Sequence, residues 1–368
     1  MTQSLDSLPL PQKIGQLFFI GIPGPDLDEP TRRLLDEIKP GGVCLFARNI
    51  RDAEQTRALI ADLKAALPTA PFISIDQEGG LVDRLRRIVG PMPAANKIRT
   101  NAEARRLARI IAASLRTLGF NMNFAPVVDV IDANRAEASN GLYSRGFGES
   151  ATQTAELAGE FLREMQDEGI IGCLKHFPGL GASRVDSHEE LPIIDVDDAE
   201  LATVDLLPYR SILASGSARM VMTAHATFPL SRMQERDENG KLLPSSLSKN
   251  FISQLLRRDM GFQGVSITDD LEMGAIEKNY GIADACVRAI EAGQDMLAIC
   301  AEPENIGRGY NAVLKAAQAG RVSESRLNES LQRIAAVKNQ IPKQSISELA
   351  NLDHLSEEIK EFTAELAR

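Results

Sequence analysis

A single-domain α/β protein, and within that class a (β/α)8 TIM-type barrel, is predicted by three observations. Eight short β-rich runs recur along the 368 residues, most of the segments between them carry helical periodicity, and polar residues gather just after the same end of six runs. The runs are Leu17–Ile20, Gly42–Phe46, Phe72–Ile75, Met122–Ala125, Ile171–Leu174, Met220–Thr223, Val265–Thr268 and Asp295–Ile299. Between them Ala102–Leu118, Ala151–Glu168, Ala199–Ala214, Leu247–Met260 and Ile282–Ala292 place apolar residues three and four apart, as one helix face requires. Strand and helix in alternation make a parallel sheet, and a count of eight favours closure over the runner-up, an open doubly wound sheet.

After the eighth run, Glu304–Ala319 and Glu324–Lys338 read as helices. The polar stretch from Pro342 has weak helical periodicity and no strand partner, so the expected division is a barrel over residues 1–341 and a helical tail over 342–368. The Pro/Gly clusters at Pro23–Pro25, Pro91–Pro93 and Pro178–Gly181 punctuate loops and do not make linkers.

Composition narrows the function. Hydrophobic residues make up 43% of the chain, enough for a full core, and the formal net charge is −10. That balance argues against a nucleic-acid or anionic-membrane surface, which needs concentrated Lys and Arg, and favours a small, neutral or locally charged substrate. No run of 18 apolar residues occurs, and the N-terminus lacks a basic region before its short apolar run, so the expected compartment is the cytoplasm. The four cysteines are far apart and form no CxxC pair. Neither HExxH nor another metal-ligand spacing occurs, and His354 stands in the tail, so no metal and no cofactor are expected.

Barrel enzymes build their sites from the carboxyl ends of strands and the loops that follow. Arg48 and Asn49 follow the second run, Asp76, Gln77 and Glu78 the third, Asp129 the fourth, Lys175 and His176 the fifth, His225 the sixth, and Asp269 and Asp270 the seventh. The segment DQEGGLVDR (Asp76–Arg84) reads as a capped turn or as a ligand site, and its place at a strand end favours the ligand site. Strand alternation allows one of Asp269 and Asp270 to point inward. Asp269 is the better candidate, because Val265 and Ile267 share its side, and Asp270 then caps the following helix. Lys175 and His176 would also point apart unless a bulge turns both inward. Lys175 reads as a Schiff-base nucleophile or as a cation gripping an oxygen. His176 and His225 read equally as structural histidines or ligand contacts. Arg145, in the glycine-rich NGLYSRGFG (Asn140–Gly148), is placed to fork onto ligand oxygens.

The densest stretch is KHFPGLGASRVDSHEEL (Lys175–Leu191). Asp186 and His188 stand two apart on a Gly-punctuated loop, so in an extended conformation the carboxylate can orient the imidazole as an acid–base dyad.

With these residues the chain resembles the single-domain β-N-acetylglucosaminidases of glycoside hydrolase family 3, bacterial enzymes of cell-wall recycling. The likeness runs through KIGQLFFIG (Lys13–Gly21), DQEGG (Asp76–Gly80), NFAPVVDV (Asn123–Val130), SRGFG (Ser144–Gly148), KHFPG (Lys175–Gly179), DSH (Asp186–His188), VMTAH (Val221–His225) and TDDLEM (Thr268–Met273). It implies a retaining exo-glycosidase acting on a carbohydrate, with Asp269 as nucleophile, His188 as acid/base held by Asp186, and Asp76, Arg84, Arg145, Lys175 and His176 binding the terminal sugar. The implied substrate is a GlcNAc-containing muropeptide or a short chito-oligosaccharide. Histidine suits the acid/base role because its ordinary pKa lies near ~6.5. Two positions depart from the family pattern: Leu180 stands where members commonly have His, and Leu81 where they have Arg. Competing readings are substrate-assisted hydrolysis by the Asp269/Asp270 pair, a phosphorylase using the same intermediate, a Schiff-base aldolase on Lys175, and a sugar-binding sensor without turnover.

Overall fold

The computed structural model describes residues 5–136, 142–185, 190–342 and 348–368. Its strands, in chain order, are β1 (Phe18–Gly21), β2 (Gly42–Leu45), β3 (Phe72–Ile75), β4 (Gln77–Gly79), β5 (Val82–Asp83), β6 (Met122–Asn123), β7 (Ile171–Phe177), β8 (Met220–Thr223), β9 (Val265–Asp270) and β10 (Met296–Ile299). Eight of them form one sheet in the order β3-β2-β1-β10-β9-β8-β7-β6, all paired in parallel. The strands β4 and β5 make a separate antiparallel hairpin that the sequence did not reveal as such.

The two ends of the sheet meet, β6 against β3. Asn121 N donates to Ile73 O at 3.2 Å and Phe124 N to Ile75 O at 2.9 Å. Side-chain amides complete the seam: Asn121 Oδ1 accepts from Ile73 N at 2.7 Å, and Asn123 Oδ1 accepts from Gln77 N at 2.9 Å while its Nδ2 donates to Gln77 O at 2.8 Å. With β6 only two residues long, these amides take over ladder bonds that strand backbone would otherwise supply, so no edge is left unpaired there. The chain is therefore a (β/α)8 barrel, as its strand–helix alternation predicts.

Helices follow each barrel strand, from Glu29–Ile38 after β1 to Pro303–Gln318 after β10. The helix Asn101–Leu118 starts one residue earlier than its periodicity suggests, because Thr100 and Glu103 form a reciprocal cap. The segment expected as one helix over Ala199–Ala214 divides into a π-helical turn, Leu201–Asp205, and an α-helix, Leu206–Ala214. Strand alternation sorts the core: Phe18 faces outward against Tyr310, while Phe19 meets Phe72 and Phe124, its ring centroids 6.3 and 5.0 Å away. The tail contributes a helix, Asn351–Leu366, whose Leu352, Ile359 and Phe362 are buried and whose Glu365 meets Arg106 of helix Asn101–Leu118 at 2.6 Å.

At the amino end of the barrel, just before β10, the buried Asp295 carboxylate takes three guanidiniums. Arg326 and Arg333 each approach to 3.1 Å and Arg257 adds a third contact, with Ser266 N donating at 3.0 Å and Ser330 Oγ at 2.9 Å. Burial pushes this carboxyl up, yet the three arginines hold it below the usual range. Replacing Asp295 by Ala strands three partly buried cations, so Asp295→Ala is expected to cost about 3–5 kcal/mol in urea unfolding. A loss below about 1 kcal/mol would show that the cluster relaxes into solvent.

Candidate active site

A cavity of about 220 Å³ opens at the carboxyl end of the barrel, lined from β2, β5, β7, β8, β9 and β10 and from the segments after β3 and β6. Two bulges shape it. The pairing of β7 with β8 slips between Leu174 and Phe177, and that of β9 with β10 slips where Met296 and Ala298 oppose Ile267 and Asp270. Each slip inserts an extra residue into the strand and breaks strict alternation. Lys175 and His176 therefore both line the cavity, and so do Asp269 and Asp270. The expectation that only one of the two aspartates faces the mouth is corrected by the β9 bulge.

The floor is held by ion pairs. Lys175 Nζ lies 2.6 Å from Asp76 Oδ1 and 2.7 Å from Glu78 Oε1, and the ammonium is almost fully buried. Arg145 forks onto the same glutamate, Nε to Oε2 at 2.8 Å and Nη2 to Oε1 at 2.9 Å. Burial pushes the Glu78 carboxyl up, but Lys175 and Arg145 together pull it down to about 2. Burial likewise pushes the Lys175 amine down, and the Asp76 and Glu78 carboxylates more than reverse this, holding it above the ordinary lysine value. An ammonium so held is a cation that grips oxygens. A Schiff-base nucleophile needs a neutral amine, so the geometry favours the reading of Lys175 as a cation gripping oxygens.

His176 is oriented by Asp129, a residue the sequence marked only as polar and at a strand end. Asp129 Oδ2 accepts from His176 Nδ1 at 2.7 Å, and its Oδ1 accepts from His176 N at 3.3 Å and Leu180 N at 2.7 Å. One carboxylate thus sets both the imidazole and the KHFPGLG turn, leaving Nε2 as the ring nitrogen for a ligand. The turn also needs Gly181, where a Cβ would come 1.9 Å from Val130 O.

Arg84 arrives by way of the β4–β5 hairpin. Gln77 Nε2 donates to Asp83 Oδ1 at 2.7 Å, and Gln77 Oε1 accepts from Arg84 N at 2.9 Å and Leu85 N at 3.1 Å. The turn at its tip uses Gly79 and Gly80 at positive φ, 91° and 58°. Arg84 lines the cavity, and its buried Nε has no hydrogen-bond partner among the described residues.

On the opposite wall Asp269 Oδ1 accepts from Asp270 N at 2.8 Å. Asp270 Oδ1 accepts from Glu272 N at 3.1 Å and its carbonyl from Met273 N at 3.0 Å, so Asp270 closes a turn beside the cavity and is not the helix cap expected of it, because the next helix, Gly274–Glu277, starts later and has Met273 at its N-cap. Burial pushes the Asp270 carboxyl up to about 7, with the charges of Glu272 and Asp269 adding to the effect. His225 lies behind this wall and does not line the cavity. Its Nε2 must donate to the Asp270 carbonyl at 3.0 Å, since a carbonyl only accepts, and its Nδ1 then accepts from Ser246 Oγ at 2.7 Å. Burial lowers its pKa, in keeping with a neutral structural imidazole that fixes the β9 terminus.

The structure thus brings together Asp76, Arg84, Arg145, Lys175, His176 and Asp269, the sugar-binding set and the nucleophile expected from the sequence. Asp186 and His188 lie outside the described residues. Glu78, Asp129 and Gln77 were marked only as polar residues at strand ends, and only the fold reveals what they bind. Among the described residues, no three His, Cys, Asp or Glu side chains come together as a metal-ligand set. Near neutral pH the wall carries acidic and basic groups that offset one another, a pattern suited to a neutral, polyhydroxylated ligand.

The Glycosyl hydrolase family 3 N terminal domain matches residues 9–337. The chain belongs to this family. As a family 3 glycoside hydrolase it is 33% identical over 303 residues to a β-hexosaminidase from Thioalkalivibrio sulfidiphilus, covering 80% of this chain and 83% of that one. It is 32% identical over 344 residues to β-hexosaminidase A of Pseudoalteromonas piscicida, covering 88% of this chain and only 56% of that longer one. Among solved structures, a family 3 β-N-acetylglucosaminidase from Paenibacillus sp. superposes with a TM-score of 0.88 at 35% identity, over 97% of this chain and 69% of that one. A β-N-acetylhexosaminidase from Beutenbergia cavernae gives 0.81 at 30% identity, over 91% and 99%.

The raised Asp270 pKa has a consequence for this family 3 protein. Its neutral form is favoured by folding, so the associated stability is complete below the unfolded value near 3.8 and is lost as pH rises towards about 7. Asp270→Asn should therefore raise the melting temperature more at pH 8 than at pH 5. Equal gains at both pH values, measured by thermal unfolding, would mean that Asp270 is already ionised in the folded state.

Proposed function

We propose that the cavity hydrolyses non-reducing terminal β-linked N-acetylglucosamine from GlcNAc-anhydro-muropeptides or short chito-oligosaccharides, with retention of configuration. The observation that carries this reading is the placement of the Asp269 carboxylate on one wall, facing a charge-balanced floor of Asp76, Lys175 and Arg145. Val185, the residue immediately before Asp186, is also part of the cavity wall. The β-hexosaminidase names of the relatives point the same way.

In this reading Asp76, Arg84 and His176 bind the sugar hydroxyls while Lys175 and Arg145 fix the two carboxylates of the floor. Asp269 attacks the anomeric carbon as the glycosidic bond breaks, and His188 protonates the departing oxygen, with Asp186 stabilising the imidazolium. His188 then takes a proton from water, which attacks the glycosyl ester and releases GlcNAc and a free Asp269.

A second reading has a specific observation behind it: the β9 bulge brings Asp270 to the same cavity, where burial pushes its carboxyl up to about 7. Substrate assistance would use the pair, one carboxyl holding the acetamido group and the other supplying the proton. Trapping with a fluorinated N-acetylglucosaminide separates the two. A covalent adduct on Asp269 supports double displacement, and its absence supports assistance.

For double displacement, His188→Ala is expected to slow turnover of a natural disaccharide by about 10²–10⁴-fold, and Asp269→Ala by at least as much, with unchanged circular dichroism. Near-normal rates in either variant would overturn the assignment. Products from muropeptides and chitobiose, identified by mass with and without phosphate, decide the aglycone and the acceptor. A sugar 1-phosphate would reveal a phosphorylase.

A further inference from the structure

Among the described residues five large apolar side chains are exposed; one of them, Val185, lines the cavity, and two more, Leu81 and Tyr143, stand next in the chain to residues that line it. Leu81 is 69% exposed, Tyr143 44% and Val185 39%; the other two, Ile193 and Leu230, lie away from the cavity wall. Leu81 occupies the tip of the β4–β5 hairpin, next to cavity-lining Val82, in a turn where polar residues are the rule. Tyr143 sits in the short turn Leu142–Ser144, between the lining residues Leu142 and Arg145. Val185 lines the cavity itself, and below it Leu180, 4% exposed, continues the apolar wall from the KHFPGLG turn. Lone exposed leucines need no explanation, but a set concentrated around one cavity marks a binding surface.

We propose that these residues form an apolar collar that receives the leaving group, so that the enzyme selects aglycones by the apolar ring face they offer and not by their charge. This rests on the reading of the floor as the subsite for the terminal sugar. The charges around the cavity support it, with Arg84, the remaining lining arginine, assigned to the terminal sugar. On the floor, Lys175 and Arg145 are already neutralised by Asp76 and Glu78. Arg184, the exposed cation beside Val185, lines a neighbouring cavity with Asp195 and Glu200 instead of this one. The occupant that fits is an aromatic ring or the C–H face of a second pyranose, each of which can cover Leu81 and Tyr143 and remove their apolar surface from water. The collar's own side chains, Leu81, Tyr143 and Val185, offer a carboxylate no cation.

The test uses calorimetry on the full chain with three probes that are not turned over: free N-acetylglucosamine, its methyl β-thioglycoside and its phenyl β-thioglycoside. The phenyl compound is expected to bind about 10-fold more tightly than the methyl compound. Leu81→Ser and Tyr143→Ala should each remove a large part of that advantage, about 3–5-fold in Kd, and leave the affinity for free N-acetylglucosamine unchanged. Both positions are exposed enough for the variants to fold. Equal affinity of the phenyl and methyl compounds, or a variant that weakens all three probes alike, would overturn the collar while sparing the sugar subsite. Failure of all three probes to bind would overturn the sugar subsite, and the collar with it.

Discussion

The ammonium of Lys175, buried between Asp76 and Glu78, is the constraint on which the rest of the site depends. A buried charge is tolerated only when paired and hydrogen-bonded. Meeting that condition draws together the end of β3, the hairpin that follows it and the bulged end of β7. Glu78 has a second oxygen to satisfy, and Arg145 answers it from the loop after β6. Removing any one member leaves the others as uncompensated charges in a cavity. The floor is thus one electrostatic unit whose parts come from remote positions in the chain, and it leaves Arg84 and His176 directed at whatever the cavity holds.

Two bulges solve one problem in the same way. A parallel barrel strand sends successive side chains to opposite faces, which is suitable for a core but wasteful at a catalytic mouth. The extra residue in β7 lets Lys175 and His176 serve one cavity, and the extra residue in β9 does the same for Asp269 and Asp270. Each irregular strand end is then pinned from outside the mouth, by Asp129 behind His176 and by the neutral His225 behind Asp270. These fixing groups do not touch the space a ligand would fill, or touch it only through the residue they orient. The placement of His176 and Asp270 is therefore set before any ligand arrives.

The cavity divides by polarity with depth. Its floor is charged and internally balanced, which suits a neutral sugar rich in hydroxyls, and its rim carries exposed apolar side chains, which suit a leaving group with little charge at its contact face. At Leu81 and Leu180, where the resemblance implies Arg and His, this chain carries apolar side chains. The two positions belong to different loops, one after β3 and one after β7, so a single local repacking does not account for both.

The barrel was legible in the sequence because strand runs and helical periodicity are local signals, and eight alternations leave few ways to close a parallel sheet. Most of the site was legible too, since residues that follow barrel strands must emerge at one end, and that placed Asp76, Lys175, His176 and Asp269 together before any coordinates. Local signals could not show the side-chain amides of Asn121 and Asn123 stitching the seam, the register slips in β7 and β9, or the partners of Glu78 and Asp129. All of these depend on what lies opposite a residue in space. Strand identity follows from the spacing of apolar residues along the chain, whereas the direction of a side chain at a bulge and the state of a buried carboxyl follow from neighbours that only closure of the barrel supplies.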